Sequence, residues 1–420
     1  MRIHKFQLNL ISLLFVFFAI AIAINLICSV SLKHTSGDFD VYYITWQNYL
    51  SRAPIYIAHS GIEEFKYSPL FALIFSPLAM VNKVSALYIW SILNIISLYL
   101  IFYLFYKLSL FSFTRVKDFL VFFCLFALTV RYIFANIKIG QVNFLLCLLM
   151  VLTMYFEIRK KDFWAAFFLA LSVMIKFFPL LFLIYFILRR RFKIVGFTIL
   201  LVGIFLILPG IFSGFSLNLR YIQEWFNLLK YTPAHMLYSV KNYSLLSFFS
   251  WFFIARHEPY SIFEYTMITK GITPVVYHFW AVTCFSLFSF CFLDIFFRKD
   301  RDINTICLDY GCLFVCGLLF NPFSYLNALV FLIVPYFFIL RSLFYTKLNR
   351  NWIIVIGALI LLCFISTISY SKIYFKDVQS FYRFLEYRSL MWTMILVYFI
   401  LCLLKLPSWA AFRNRKGSSA

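Results

Sequence analysis

Two carboxylates two residues apart, Asp38 and Asp40, follow the first long apolar run of the chain, which extends from about Leu8 to Val30. A carboxylate held where membrane meets water can act as a general base and take a proton from an acceptor hydroxyl. The plainer reading is a solvated loop in which an Asp caps a helix starting at Val41, because Asp is a favoured N-cap residue. Lys176 stands between two apolar runs with Pro179 close behind. A charge at the centre of a membrane helix costs about 2.5–3.5 kcal/mol on insertion scales, so it is expected either to snorkel to the interface or to hold an anion such as a phosphate. Arg131, Lys138, Gln141 and Asn143 form a polar and basic cluster of the same kind. Asn242-Tyr243-Ser244 and Asn321-Pro322 are weaker signals, since a loop turn and a Pro-broken helix end account for them.

Other chemistries find little support. His235, His257 and His278 share no metal-ligand spacing, and HExxH, Walker A and GxGxxG patterns are absent. Cys307, Cys312 and Cys316 lack a CxxC pair and lie in an apolar run, where small packing residues are expected. No metal, disulfide framework or bound cofactor is expected, and an activated substrate delivered within the membrane suits the chain better than ATP.

The elements that must position these groups are set by composition. Of the 420 residues, 64% are hydrophobic, 22% aromatic and only 13% charged, with mean hydropathy +0.90. A soluble domain is nearer half apolar and a quarter charged, so lipid must be part of the surroundings. The net charge of +22 comes in short clusters between apolar runs, such as Arg189-Arg190-Arg191-Phe192-Lys193. That pattern belongs to cytosolic membrane loops and anionic lipid rather than to nucleic acid.

Thirteen apolar runs are candidate spans, and several fall short of the roughly 20 residues that a straight crossing needs. Placing Arg2, Lys5 and the later basic clusters in the cytosol requires one early run not to cross. The weakest is 68–81, which opens at Ser68-Pro69 and contains Pro77. The expectation is an all-α polytopic bundle of about twelve crossings, a single membrane domain over 1–420 with an uncleaved first helix and both ends cytosolic. The expected extracytoplasmic segments are 31–67, 131–143, 175–179, a long loop at 209–272, and 321–325. Short interfacial helices are expected at Val41–Leu50, where Tyr42, Tyr43, Trp46 and Leu50 would lie on the membrane, and at 219–230 and 243–254. Polar groups from distant parts of the chain would thus converge at one end of the bundle.

Several of these segments together resemble glycosyltransferase family 87. Asp38-Phe39-Asp40-Val41-Tyr42-Tyr43 is followed by Pro54-Ile55-Tyr56 and then by Phe65-Lys66-Tyr67-Ser68-Pro69-Leu70. Gly140-Gln141-Val142-Asn143, Lys176-Phe177-Phe178-Pro179, Asn242-Tyr243-Ser244-Leu245 and Asn321-Pro322-Phe323-Ser324-Tyr325 come after them in family order. The resemblance implies a membrane bundle of GT-C type and transfer of a hexose, typically mannose, from a polyprenyl-phosphate donor to a glycolipid or glycan acceptor. Transfer would invert the anomeric carbon on the extracytoplasmic face of the cell membrane, with the donor a substrate rather than a cofactor.

The family's essential Asp corresponds to Asp38, leaving Asp40 as a possible second carboxylate that tunes it or caps the following helix. Lys176, Arg131 and Lys138 would then hold the donor phosphate. Tyr42, Tyr67, Gln141, Asn143, Asn242, Ser244, Asn321 and Asn327 become the expected substrate-binding positions. This chain has Ser68 where the family usually has Pro, and Tyr325-Leu326-Asn327-Ala328 where a His is common, which leaves the acceptor open. The competing readings are a transporter or lipid-linked sugar flippase, which would place charges in mid-span and carry an inverted repeat, and a non-catalytic assembly protein.

Overall fold

The computed structural model describes residues 37–57, 64–111, 115–230, 237, 239, 241–255, 274–293, 301–346, 348–369 and 388–417. The first apolar run with its basic flank, His235 and His257 lie outside them. Among the described residues the chain is helical and has no strand. In lipid the helix is the element that satisfies its own backbone donors and acceptors, and a chain this apolar folds accordingly.

In chain order the helices are α1 (Gly37–Leu50), α2 (Pro69–Phe75, continued by a 3-10 turn over Ser76–Met80), α3 (Lys83–Lys107) and α4 (Val116–Lys138). Next come α5 (Asn143–Ile158), α6 (Asp162–Ile175), α7 (Leu181–Leu188), α8 (Phe192–Ile207) and α9 (Phe215–Lys230). The later helices are α10 (Leu245–Ser250), α11 (Pro274–Phe292), α12 (Ile303–Phe320), α13 (Ile333–Tyr345), α14 (Arg350–Ser369) and α15 (Ser389–Gly417). Their starts are legible in side chains that accept from a backbone N–H of the first turn: Ser68 from Phe71, Asn82 from Ser85, Ser244 from Ser247 and Asp302 from Thr305.

Seven described helical stretches are long and apolar enough to cross a membrane: Lys83–Lys107, Val116–Lys138, Phe192–Ser213, Pro274–Phe292, Ile303–Phe320, Ala328–Tyr345 and Arg350–Thr367. Five shorter apolar helices accompany them. The architecture is therefore that of a polytopic helical membrane protein. Helix α6, with 14 residues, is about 21 Å long at 1.5 Å per residue, well short of a hydrocarbon core of about 30 Å. Helix α2 stops after seven residues, and Pro77 sits in the 3-10 turn that follows.

The chain divides into two compact units. The first comprises residues up to Phe119 together with Ile133–Tyr231, and the second comprises Leu120–Tyr132 and Thr232–Ala420. In the first unit, α5, α6 and α8 pack side by side, α3 lies against α5, and α1 packs on α2 and its 3-10 turn. In the second, α12 is buried along almost its whole length among α11, α13 and α15.

Two expectations are corrected here. Helix α1 begins at Gly37, not Val41, so both Asp residues lie in its first turn, where the helix dipole favours a carboxylate. Nor does α1 lay its aromatic side chains on the membrane: Tyr42, Tyr43 and Trp46 are buried, and only Leu50 at the far end is exposed. An aromatic shell within the chain takes them in. Trp46 lies 5.6 Å from Trp90 and 6.0 Å from Phe75, and Tyr42 lies 5.4 Å from Phe71 between ring centroids. Helix α9 does keep an exposed apolar face, Phe215, Leu219 and Phe226, opposite buried Tyr221 and Trp225.

Candidate active site

The site is built where α1 begins and α4 ends, in the first unit. Helix α4 closes at Lys138, and Gly140 then turns the chain with φ +69, a left-handed backbone that a Cβ disfavours. Space also demands glycine, because a Cβ here would stand 2.6 Å from Phe39 Cβ. This close approach lets the Phe39 N–H donate to the Ile139 carbonyl at 3.2 Å, while Trp90 Nε1 donates to the Gly140 carbonyl at 2.7 Å. Buried Asn136 completes the turn, its carbonyl accepting from the Gln141 N–H at 3.0 Å.

The turn delivers Gln141 to the carboxylate of Asp38. Gln141 Nε2 donates to Asp38 Oδ2, while Gln141 Oε1 accepts from the hydroxyls of Tyr42 at 3.3 Å and Tyr67 at 3.2 Å. The two tyrosine hydroxyls are themselves 2.7 Å apart. One amide thus orients a half-exposed carboxylate and is oriented by two buried phenols. This donation fixes the carboxylate in place at the start of α1. Burial pushes the Tyr42 hydroxyl well above its usual range, so it stays protonated as a donor.

Lys176 enters from the other side. Helix α6 ends at Ile175, and Lys176 takes extended backbone before a 3-10 turn over Phe178–Leu180 that contains Pro179. Its ammonium donates to Asn143 Oδ1 at 2.6 Å and lies 5.9 Å from the ring centre of Tyr67. Desolvation lowers its pKa to about 8, with the charge of Asp38 opposing that shift and the charge of Lys66 adding to it. Lys66 therefore belongs to the same electrostatic neighbourhood. The segment bearing Lys66 and Tyr67 is pinned by its carbonyls: Trp225 Nε1 donates to that of Lys66 at 3.2 Å, and the Tyr56 hydroxyl to that of Tyr67 at 2.8 Å. Asp38, Tyr42, Tyr67, Gln141, Asn143 and Lys176, scattered over nearly 140 residues of sequence, come together.

The remaining candidates sit elsewhere. Asp40 pairs with Lys83 Nζ at 3.0 Å, at the start of α3, and so does not share the Gln141 contact. Arg131 lies inside α4 rather than in a loop, and donates to the Thr367 carbonyl at 3.1 Å within the second unit. Lys138 is exposed in the last turn of α4.

In the second unit, Asn242 and Ser244 hold backbone. Asn242 Nδ2 and the Ser244 hydroxyl both donate to the Pro322 carbonyl, at 2.8 and 2.9 Å, and Asn242 Oδ1 accepts from the Ser244 and Ser324 N–H groups. Asn321 bonds the backbone of Phe323, and Asn327 precedes the 3-10 turn over Ala328–Leu332. Arg388, fully buried, donates to the carbonyls of Ser239 and Asn242. Sequence reasoning passed over Arg388, Trp90 and Asn136, which carry no motif of their own. Lys66 was within reach of it, as a cation beside Tyr67.

Residues 65–322 match the sequence model of glycosyltransferase family 87, a span of 258 residues in a chain of 420. No curated protein and no solved structure matches the chain.

Proposed function

Because this chain belongs to glycosyltransferase family 87 and is thereby a membrane glycosyltransferase, we propose that it moves a hexose, mannose in the first instance, from a polyprenyl-phosphate donor to a hydroxyl of a glycolipid or glycan acceptor. The reading rests on one arrangement: a half-exposed Asp38, oriented by Gln141, in the electrostatic field of Lys176. Asp38 takes the proton of the acceptor hydroxyl as its oxygen attacks the anomeric carbon. The bond from that carbon to the phosphate oxygen breaks on the opposite face, its electron pair leaves with the polyprenyl phosphate, and the anomeric centre is inverted. Lys176, supported by Lys66, holds the phosphate and offsets the charge it gains on departure. Tyr42 and Tyr67 keep Gln141 in place, and Asp40 anchors α1 to Lys83. The site faces the extracytoplasmic side of the cell membrane, in a bundle of GT-C type.

The test is transfer by the purified full chain in lipid, supplied with labelled polyprenyl-phosphate sugars and a membrane glycolipid extract. Loss of a general base lowers turnover by about 10²–10⁴-fold, so Asp38→Asn should fall by that factor while Asp40→Asn keeps most of its activity. Turnover retained in a folded Asp38→Asn protein removes Asp38 from the reaction.

A further inference from the structure

Three cysteines on three different helices of the second unit meet in the protein interior. Cys291 on α11, Cys312 on α12 and Cys402 on α15 bring their sulfurs within 4.8 Å of one another. Cys291 and Cys312 are buried, and Cys402 is half-buried. No pair of them is closed as a disulfide. The sequence conceals the group, because its members are 21 and 90 residues apart and none belongs to a CxxC pair.

The surrounding structure fixes the three sulfurs from several sides. Gly311, next to Cys312, lets α15 approach: a Cβ there would stand 3.0 Å from Cδ2 of Leu401, the neighbour of Cys402. One turn before both Cys291 and Cys402, the Tyr398 hydroxyl donates to the Leu287 carbonyl. Lys405 Nζ donates to the Cys291 carbonyl at 2.7 Å, lies 3.9 Å from Cys291 Sγ, and pairs with Asp309 Oδ1 at 2.8 Å.

We propose that Cys291, Cys312 and Cys402 form a binding site for a single soft cation, copper(I), which ties α11, α12 and α15 together. Three thiolates around one ion at roughly 2.3 Å stand about 4.0 Å apart, so sulfurs that lie within 4.8 Å of one another close on it by a contraction of less than about 1 Å. Thiolate ligands select soft ions, copper(I) and zinc among them. Structural zinc asks for four ligands, and the group among the described residues offers three sulfurs, which suits an ion content with fewer ligands. Each thiol that ligates releases its proton, and the Lys405 ammonium offsets part of the negative charge that results.

The experiment uses the purified full chain in lipid nanodiscs, reduced and loaded with copper(I) or zinc against a competing chelator. Metal per chain is then measured, and the copper ligands are read by X-ray absorption. One copper per chain with a sulfur-only shell is expected, together with at least a tenfold loss of affinity in Cys312→Ser. Cys147→Ser, which removes a buried cysteine of α5 in the first unit, should bind as the parent does. Three results would overturn the site: no stoichiometric copper on folded parent protein, zinc held in preference to copper, or equal loss in Cys147→Ser. A disulfide among the three cysteines of the isolated protein, in place of bound copper, would do the same.

Discussion

Lys176 carries its charge at a cost, and that cost gives the site a pH signature. Its pKa is lowered to about 8, first by burial and then by Lys66, with Asp38 working the other way. If the ammonium holds the donor phosphate, kcat/KM for the donor declines as pH rises through about 8, because the cation is lost above its pKa. A guanidinium stays charged to above about 12, so Lys176→Arg should remove that alkaline limb even if it lowers the plateau. Unchanged alkaline behaviour in Lys176→Arg would assign the limb to another group.

Gln141 permits a complementary test on the acid side. Gln141→Glu sets a second carboxylate where an amide now donates to Asp38, and like charges disfavour ionisation. If Asp38 is the base, it then stays protonated to higher pH, and the acidic limb of the rate profile should move upward. That Asp38 and Lys176 are candidates was legible from residue type, position and the family motifs. That Asp40 turns to Lys83 was not, because two carboxylates two residues apart are equivalent until a partner is placed beside one of them.

At the scale of elements, the site depends on the turn that links α4 to α5. Gly140→Ala forces a Cβ to within 2.6 Å of Phe39 Cβ and into a left-handed backbone, whose strain alone is about 1–3 kcal/mol. The variant should melt lower and lose activity together, since the displaced neighbour, Phe39, adjoins Asp38. Gly203→Ala is the control. It sits inside α8 with nothing within 4 Å of the added carbon, and Ala exceeds Gly in helix propensity by about 1 kcal/mol. Its melting temperature should hold or rise; a fall equal to that of Gly140→Ala would mean that any added methyl is harmful here.

Helix positions followed from hydropathy, whereas the capping of the starts at Asn82 and Asp302 is seen in the structure. Helix α1 already runs from Gly37, four residues before the expected start, and its Phe39 N–H is taken by the Ile139 carbonyl, from a segment a hundred residues away that no local signal announces.

For the molecule as a whole, the most exposed wager is charge in an apolar interior. Arg301, Asp309 and Lys405 meet inside the second unit, almost wholly shielded from solvent, with Asp309 paired to both cations. Removing one partner from such a group costs about 3–5 kcal/mol, so Asp309→Asn should lower the melting temperature of the purified protein sharply. Asp162→Asn breaks a pair with Arg191 that is about a quarter exposed on each side, and such pairs contribute about 0–1 kcal/mol, so it should melt close to the parent. Equal shifts in the two variants would show that burial adds nothing at Asp309.

Membrane residence, helical class, the transferase family and the choice of Asp38 and Lys176 as candidates were all legible in the order of residues. They depend on hydropathy, charge clustering and short motifs, which are local properties of a chain. The partners of those residues were decided by tertiary structure. Gln141 reaches Asp38 across 103 positions, Asn143 reaches Lys176 across 33, and Arg131 and Asn242 are engaged by backbone carbonyls and N–H groups that no motif announces. The physical reason is range: a hydrogen bond or an ion pair acts over a few ångströms, and only the packing of helices decides which distant side chains come that close.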